Sequence, residues 1–183
     1  MKKIMFTLLV ISIIMTSCDK EVNPFLISKQ SVGLLTDSTQ VKDIKTIFAS
    51  DSVVTKIAGD EFLGNVNDIE IYEKGGKHLM SLSPKQAFDS TATIGTVKIT
   101  DSRYKTDKGL STLSTFGDIK TNYKISSIEN TLRNVVVFVN ESNMYFTIAK
   151  QELPANLRFD MTKDIEAIQI PDAAKIKFFM IGW

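Results

Sequence analysis

The sequence predicts an α+β fold made by tandem duplication, each copy setting one short helix on an antiparallel sheet in the order strand, helix, strand, hairpin, strand. Three observations predict it. FDSTATIGTVKITD (88–101) returns as FDMTKDIEAIQIPD (159–172), so that Phe88, Asp89, Thr91, Ile94, Ile99 and Asp101 recur 71 positions later. In the same order, GLLTDSTQVKDIKTIFASDSV (33–53) is matched by GLSTLSTFGDIKTNYKISSI (109–128). Between these blocks each copy carries a run of β-type residues interrupted by turn residues, IEIYEKGGKHLMSL (69–82) and VVVFVNESNMYFTI (135–148). The copies are expected over 26–102 and 103–183, together forming one compact domain.

The first element is a leader. Met1-Lys2-Lys3 is a basic start, and Ile4 to Met15 is an apolar run too short to span a bilayer but suited to the core of a signal peptide. Thr16-Ser17-Cys18 then resembles the lipobox of bacterial lipoproteins, which implies cleavage after residue 17 and a diacylglycerol thioether on Cys18. Cys18 is the single cysteine, so no disulfide competes for its thiol. Residues 18–25 are the lipidated cysteine and a polar tether ending at Asn23-Pro24. The acidic residues after Cys18 resemble both inner-membrane retention and surface-export signals, and the whole chain is similar to lipoproteins of Bacteroidota type. That resemblance implies a lipid-anchored protein of the cell envelope, with the outer membrane as the expected address.

Each copy then opens on a strand and a helix. Val41, Ile44 and Phe48 in the first copy, and Phe116, Ile119 and Tyr123 in the second, fall at i, i+3, i+7 and mark one face of a short helix. Thr39 and Thr115 stand where N-cap hydroxyls are expected, and Thr115 with Asp118 has capping-box spacing. After the helix and a strand the first copy carries an extra AGDEFLGN (58–65), expected as a loop. The hairpins follow, the first with Gly75-Gly76 as a two-residue turn that needs positive φ. The second is expected to turn at Glu141-Ser142. In the repeated F-D-x-T, Asp89 and Asp160 are expected to bond their own backbone in a turn that leads into a final strand. With Gly33-x-x-Thr36 and Gly109-x-x-Thr112 opening the helices, the paired modules resemble β-lactamase-inhibitor proteins and small outer-membrane-assembly lipoproteins.

Composition excludes several functions. Loss of Lys2 and Lys3 with the leader leaves 20 basic against 21 acidic side chains, which gives no electrostatic case for nucleic acid. His78 is the only histidine and sits beside a turn, where a solvated hairpin end is expected. With no second histidine and no further cysteine, an ordinary zinc site has no ligands, and no cofactor motif occurs. Paired carboxylates remain, with Asp60, Glu61, Asp68 and Glu70 as the candidates for an envelope hydrolase. Asp68 and Glu70 alternate with Ile69 and Ile71, the pattern of a strand's polar face.

The hairpins carry the more informative feature. Ile71 is expected to face Met80 and Ile69 to face Leu82 on the core side, with Val137 facing Phe146 and Val135 facing Ile148 in the second copy. On the other side Tyr72 is expected to pair with Leu79, and Phe138 with Tyr145. Such aromatic pairs make a candidate surface for an envelope protein or glycan, and Trp183, at the end of the apolar strand KIKFFMIGW, is expected either to extend that surface or to close the core. The expected function is therefore non-enzymatic binding by a lipid-anchored protein.

Overall fold

The computed structural model describes residues 23–57, 67–140 and 142–183. The leader, Cys18, Asp60, Glu61, the loop at 58–65 and Glu141 lie outside the described residues. Short strands β1 (Leu26–Ile27), β2 (Ser31–Val32) and β3 (Leu35–Thr36) precede a 3₁₀ turn at Val41–Asp43 that runs into α1 (Ile44–Ile47). A meander follows, β4 (Ser52–Ile57), β5 (Asn67–Tyr72), β6 (His78–Pro84) and β7 (Ile94–Ile99). After β8 (Lys105–Thr106) come α2 (Phe116–Asn122), then β9 (Ile125–Asn130), β10 (Asn134–Val139), β11 (Met144–Ala149) and β12 (Ile176–Gly182). Sheets dominate, and the helices are short.

The large sheet has the order β4-β5-β6-β7-β12-β11-β10-β9, so two four-stranded meanders meet at the antiparallel pair β7 and β12. The small sheet, β3-β2-β1-β8, joins β1 to β8 in parallel. One cluster of buried side chains holds Ile44 and Phe48 from the first helical segment, Phe116 and Ile119 from α2, and the inner rows of both sheets. Neither helix is long enough to stand alone, and each is held by this apolar face. Among the described residues no helix is long and apolar enough to cross a membrane.

The helices start in the same way. Val41 and Lys42 donate their N–H groups to the Ala92 and Ser90 carbonyls; Phe116 and Gly117 donate to those of Ala174 and Asp172. These bonds satisfy amides that a helix start leaves without an intrahelical partner. Thr115 and Asp118 close the expected capping box. Thr39 does not cap a helix: Gln40 holds that position, and the Thr39 hydroxyl accepts the Thr36 N–H at 2.9 Å.

The repeated phrase recurs only in part. Asp89 Oδ1 accepts the Thr91 N–H at 2.8 Å and the Thr91 hydroxyl at 2.7 Å; Asp160 does the same with Thr162 at 2.9 and 2.7 Å. Beyond this turn the paths differ. Ile94–Ile99 is β7, whereas 165–170 contains a 3₁₀ turn at Ala167–Gln169, and the strand beside β7 is supplied by Ile176–Gly182. Glu166 and Gln169 cap that turn reciprocally, which gives IEAIQI a local alternative to a strand.

Candidate binding face

Strand alternation puts Ile69, Ile71, Met80, Leu82, Val135, Val137, Phe146 and Ile148 into the core, and the pairings Ile71 with Met80 and Val137 with Phe146 are as expected. The helices and the small sheet contribute to that same buried cluster. The opposite face of the large sheet therefore carries the alternate residues. Reading one register across all eight strands gives Val54, Glu70, Ser81, Lys98, Met180, Tyr145, Phe138 and Ser127. At its centre the row is polar in the first meander, with Glu70, Ser81 and Lys98, and apolar in the second, with Met180, Tyr145 and Phe138. Val54 and Ser127 close its two ends.

The apolar half is built by packing. Phe138 and Tyr145 stack with centroids 5.4 Å apart and planes 24° apart, and both are half-buried. The Tyr145 ring lies beside Gly182, where a Cβ would be 3.6 Å away, an ordinary van der Waals contact. Met180 stands beside Tyr145, and Phe178, exposed one step along β12, has Lys98 and Lys177 ammonium groups 5.8 and 5.1 Å from its centroid.

In the polar half, Ser81 donates to the buried Glu70 carboxylate at 2.7 Å, and Ser83 donates to Asp68 at 2.6 Å. His78 Nε2 contacts Glu70 Oε2 as well as the Met80 carbonyl. His78 is thus half-buried and partnered, where a solvated hairpin end was expected. Glu70 is held between a hydroxyl and an imidazole, an arrangement in which no serine is poised against the histidine as a nucleophile.

The predicted surface residues divide. Phe138 and Tyr145 pair as expected, but Tyr72 pairs with His78, its ring 4.8 Å away, and not with Leu79. A β-bulge sets His78 and Leu79 opposite the single residue Tyr72. The bulge turns the Leu79 side chain into the core at 4% exposure, while its carbonyl accepts the N–H groups of both Thr100 and Asp101. The turn itself is longer than expected: Gly76 donates to the Glu73 carbonyl and Glu73 to that of Lys77, which leaves three residues, 74–76, in the loop. Gly75 and Gly76 have φ of 118° and 92°, so the need for glycine stands. Trp183 sits with the core. It packs against the core cluster, with its indole N–H buried and without a hydrogen-bond partner among the described residues. Met180, Lys98 and Phe178 belong to the face although the sequence reading did not single them out. Alternation along KIKFFMIGW, with Phe179 and Ile181 facing the core, would have put Met180 between them on the opposite face.

No family model matches the sequence, and no curated protein matches it. Among solved structures the chain is similar to the uncharacterized protein yfeY from Escherichia coli, with a TM-score of 0.58 at 17% identity. The match covers 86% of this chain and 99% of that one. At such identity the likeness concerns the fold alone.

Proposed function

We propose that this chain is a lipid-anchored protein of the bacterial envelope, held in the outer membrane through Cys18, that binds another protein on the open face of its large sheet without catalysing a reaction. The observation carrying the reading is the eight-residue row whose adjoining Met180, Tyr145 and Phe138 form an apolar half beside Lys98. Aromatic residues and methionine are the types enriched at protein interfaces. Size favours a protein over a glycan. Eight strands at about 4.8 Å spacing and about 20 Å length give a face of roughly 700 Å², close to the ~800 Å² one partner contributes to a standard interface. A saccharide chain would cover a fraction of it. Asp68 and Glu70 share the face but are each tied to a serine on β6, which favours a structured surface over a hydrolytic pair.

The face is read as the product of a tandem duplication. Supporting this are the matched bonds at the two helix starts, and two further pairs. Thr36 N–H to Thr39 Oγ1 parallels Ser111 N–H to Ser114 Oγ, and Ile94 N–H to the Thr39 carbonyl parallels Ile176 N–H to that of Ser114. The helices then align at an offset of 75 and the last strands at 82, with residues 150–175 holding the extra length of the second copy.

The test places a photo-activatable phenylalanine at Tyr145 in cells expressing the full chain. A discrete protein adduct is expected, and it should disappear when Phe138→Ala is added while Leu113→Ala, at an exposed site, leaves it intact. An adduct indifferent to Phe138→Ala, or one to glycan only, overturns the reading.

A further inference from the structure

Away from the row just described, three segments converge on a cationic recess. The turn between β9 and β10 supplies Leu132 and Arg133, the 3₁₀ turn Lys150–Glu152 after β11 supplies Lys150, and the chain beyond a second 3₁₀ turn, Ala155–Leu157, supplies Arg158 and Phe159. The Lys150 N–H donates to the Arg133 carbonyl at 3.0 Å, which locks the first two segments together. Arg158 Nε donates to the Leu153 carbonyl at 2.8 Å, which fixes the guanidinium and leaves its terminal nitrogens uncommitted. Arg133 makes no side-chain hydrogen bond or ion pair among the described residues.

Lys150 carries the argument. It is 3% exposed, and its Nζ is buried without a hydrogen-bond partner among the described residues. Burying an ammonium is strongly unfavourable unless an anion or several acceptors compensate it, so side chains of this kind are paired or functional. Two arginines beside it add to the positive potential, and no described carboxylate enters the lining. The rim is apolar, with Leu132 at 67% and Phe159 at 89% exposure.

The geometry points to a phosphate-binding site formed by Lys150, Arg133 and Arg158. Three cations match a phosphate monoester, which carries up to two charges and three terminal oxygens, better than a lone carboxylate, and guanidinium groups bind it in a bidentate fork. The exposed leucine and phenylalanine suit a phosphate borne on an amphiphile, a lipid headgroup, although free phosphate offers the same chemistry. The site does not depend on the sheet-face reading.

The experiment uses the full chain in non-ionic detergent and follows thermal unfolding at constant ionic strength. Inorganic phosphate should raise the transition temperature where chloride does not, and dihexanoyl phosphatidic acid should do so at about tenfold lower concentration. Arg133→Gln, at an exposed position, and Lys150→Met, which swaps the buried ammonium for an apolar chain of similar length, should each remove most of the phosphate shift. If Lys150→Met does not fold, Arg133→Gln carries the comparison. A lipid-specific gain lost in Phe159→Ser supports the site with an amphiphile as its source; equal responses to both compounds support it with soluble phosphate. No shift beyond chloride, or a shift that survives Arg133→Gln and any folded Lys150→Met, overturns it and leaves Lys150 a structural lysine.

Discussion

Asp101 shows how one buried carboxylate ties three parts of the chain together. Its side chain has no exposure, and burial alone would raise its pKa, but hydrogen bonds from the Arg103 side chain and backbone and from Lys77 outweigh that and hold it at about 2. Arg103 also reaches Glu73 at 2.8 Å and lies over the Phe25 ring, so the group clamps the first hairpin, the end of β7 and the start of the fold. A carboxylate whose folded pKa is depressed stabilises above its unfolded value near 4 and loses that contribution as pH falls toward about 2. Asp101→Asn should therefore cost about 2 kcal/mol at pH 7, with the gap to the parent closing between about pH 4 and 2, as read by urea unfolding at several pH values. A gap independent of pH would show that packing, not charge, sets the cost. Cys18 lies outside the described residues, and chemistry tests it directly. Cys18→Ala should abolish labelling by an alkyne fatty acid in cells, and a variant still labelled would refute the anchor. Residue types at local turns were legible: Asp89 and Asp160 with their threonines, and Gly75-Gly76, each follow from short-range sterics and hydrogen bonds. Leu79 was not, because a bulge inserts one residue and reverses the face of what lies beyond it.

At the scale of elements, the helices and the strand in KIKFFMIGW were legible, and the place of that strand beside β7 was not. Apolar spacing and the Thr115 cap specify α2 locally. Ile44 and Ile119 are both fully buried in the common core, so Ile44→Ala and Ile119→Ala should each cost on the order of 2–5 kcal/mol by chemical denaturation. One large loss beside one near zero would break the equivalence of the two helices. Thr115→Ala should cost about 1 kcal/mol through the lost cap, whereas Thr39→Ala tests a turn and not a helix start. The stretch 165–170 shows where pattern misleads. Ile165 and Ile170 are buried as in a strand, yet the 3₁₀ turn at Ala167–Gln169 and the reciprocal Glu166–Gln169 cap satisfy the backbone without a ladder. Sheet pairing depends on partners distant in sequence, and β12 won the place beside β7 because Phe179 and Ile181 meet Ile99 and Val97 there.

At the scale of the molecule, the meeting of β7 and β12 decides how the chain unfolds. The two meanders might have formed separate units, each with its own helix. Instead Ile99 pairs with Phe179 and Val97 with Ile181 at the centre of one sheet, and β1 from the chain's start pairs with β8 from its middle. Ile99, Phe179, Val97, Ile181 and, from β1, Ile27 belong to a single buried cluster. A core that crosses the joint leaves neither half able to lose its partner without exposing an apolar face, so the halves should unfold together. Calorimetry of the folded region, about 160 residues, should show one transition with an enthalpy near 110 kcal/mol at about 60 °C and equal calorimetric and van't Hoff values. Phe179→Ala, which empties the centre of the joint, should lower stability by about 3–5 kcal/mol and still give one transition, because both meanders pack on that ring. Two resolved transitions in the parent, or a Phe179→Ala variant in which one half melts well before the other, would mean that the meanders are coupled only weakly. The open face would then lack the rigidity that the proposed recognition surface, spanning both meanders, requires.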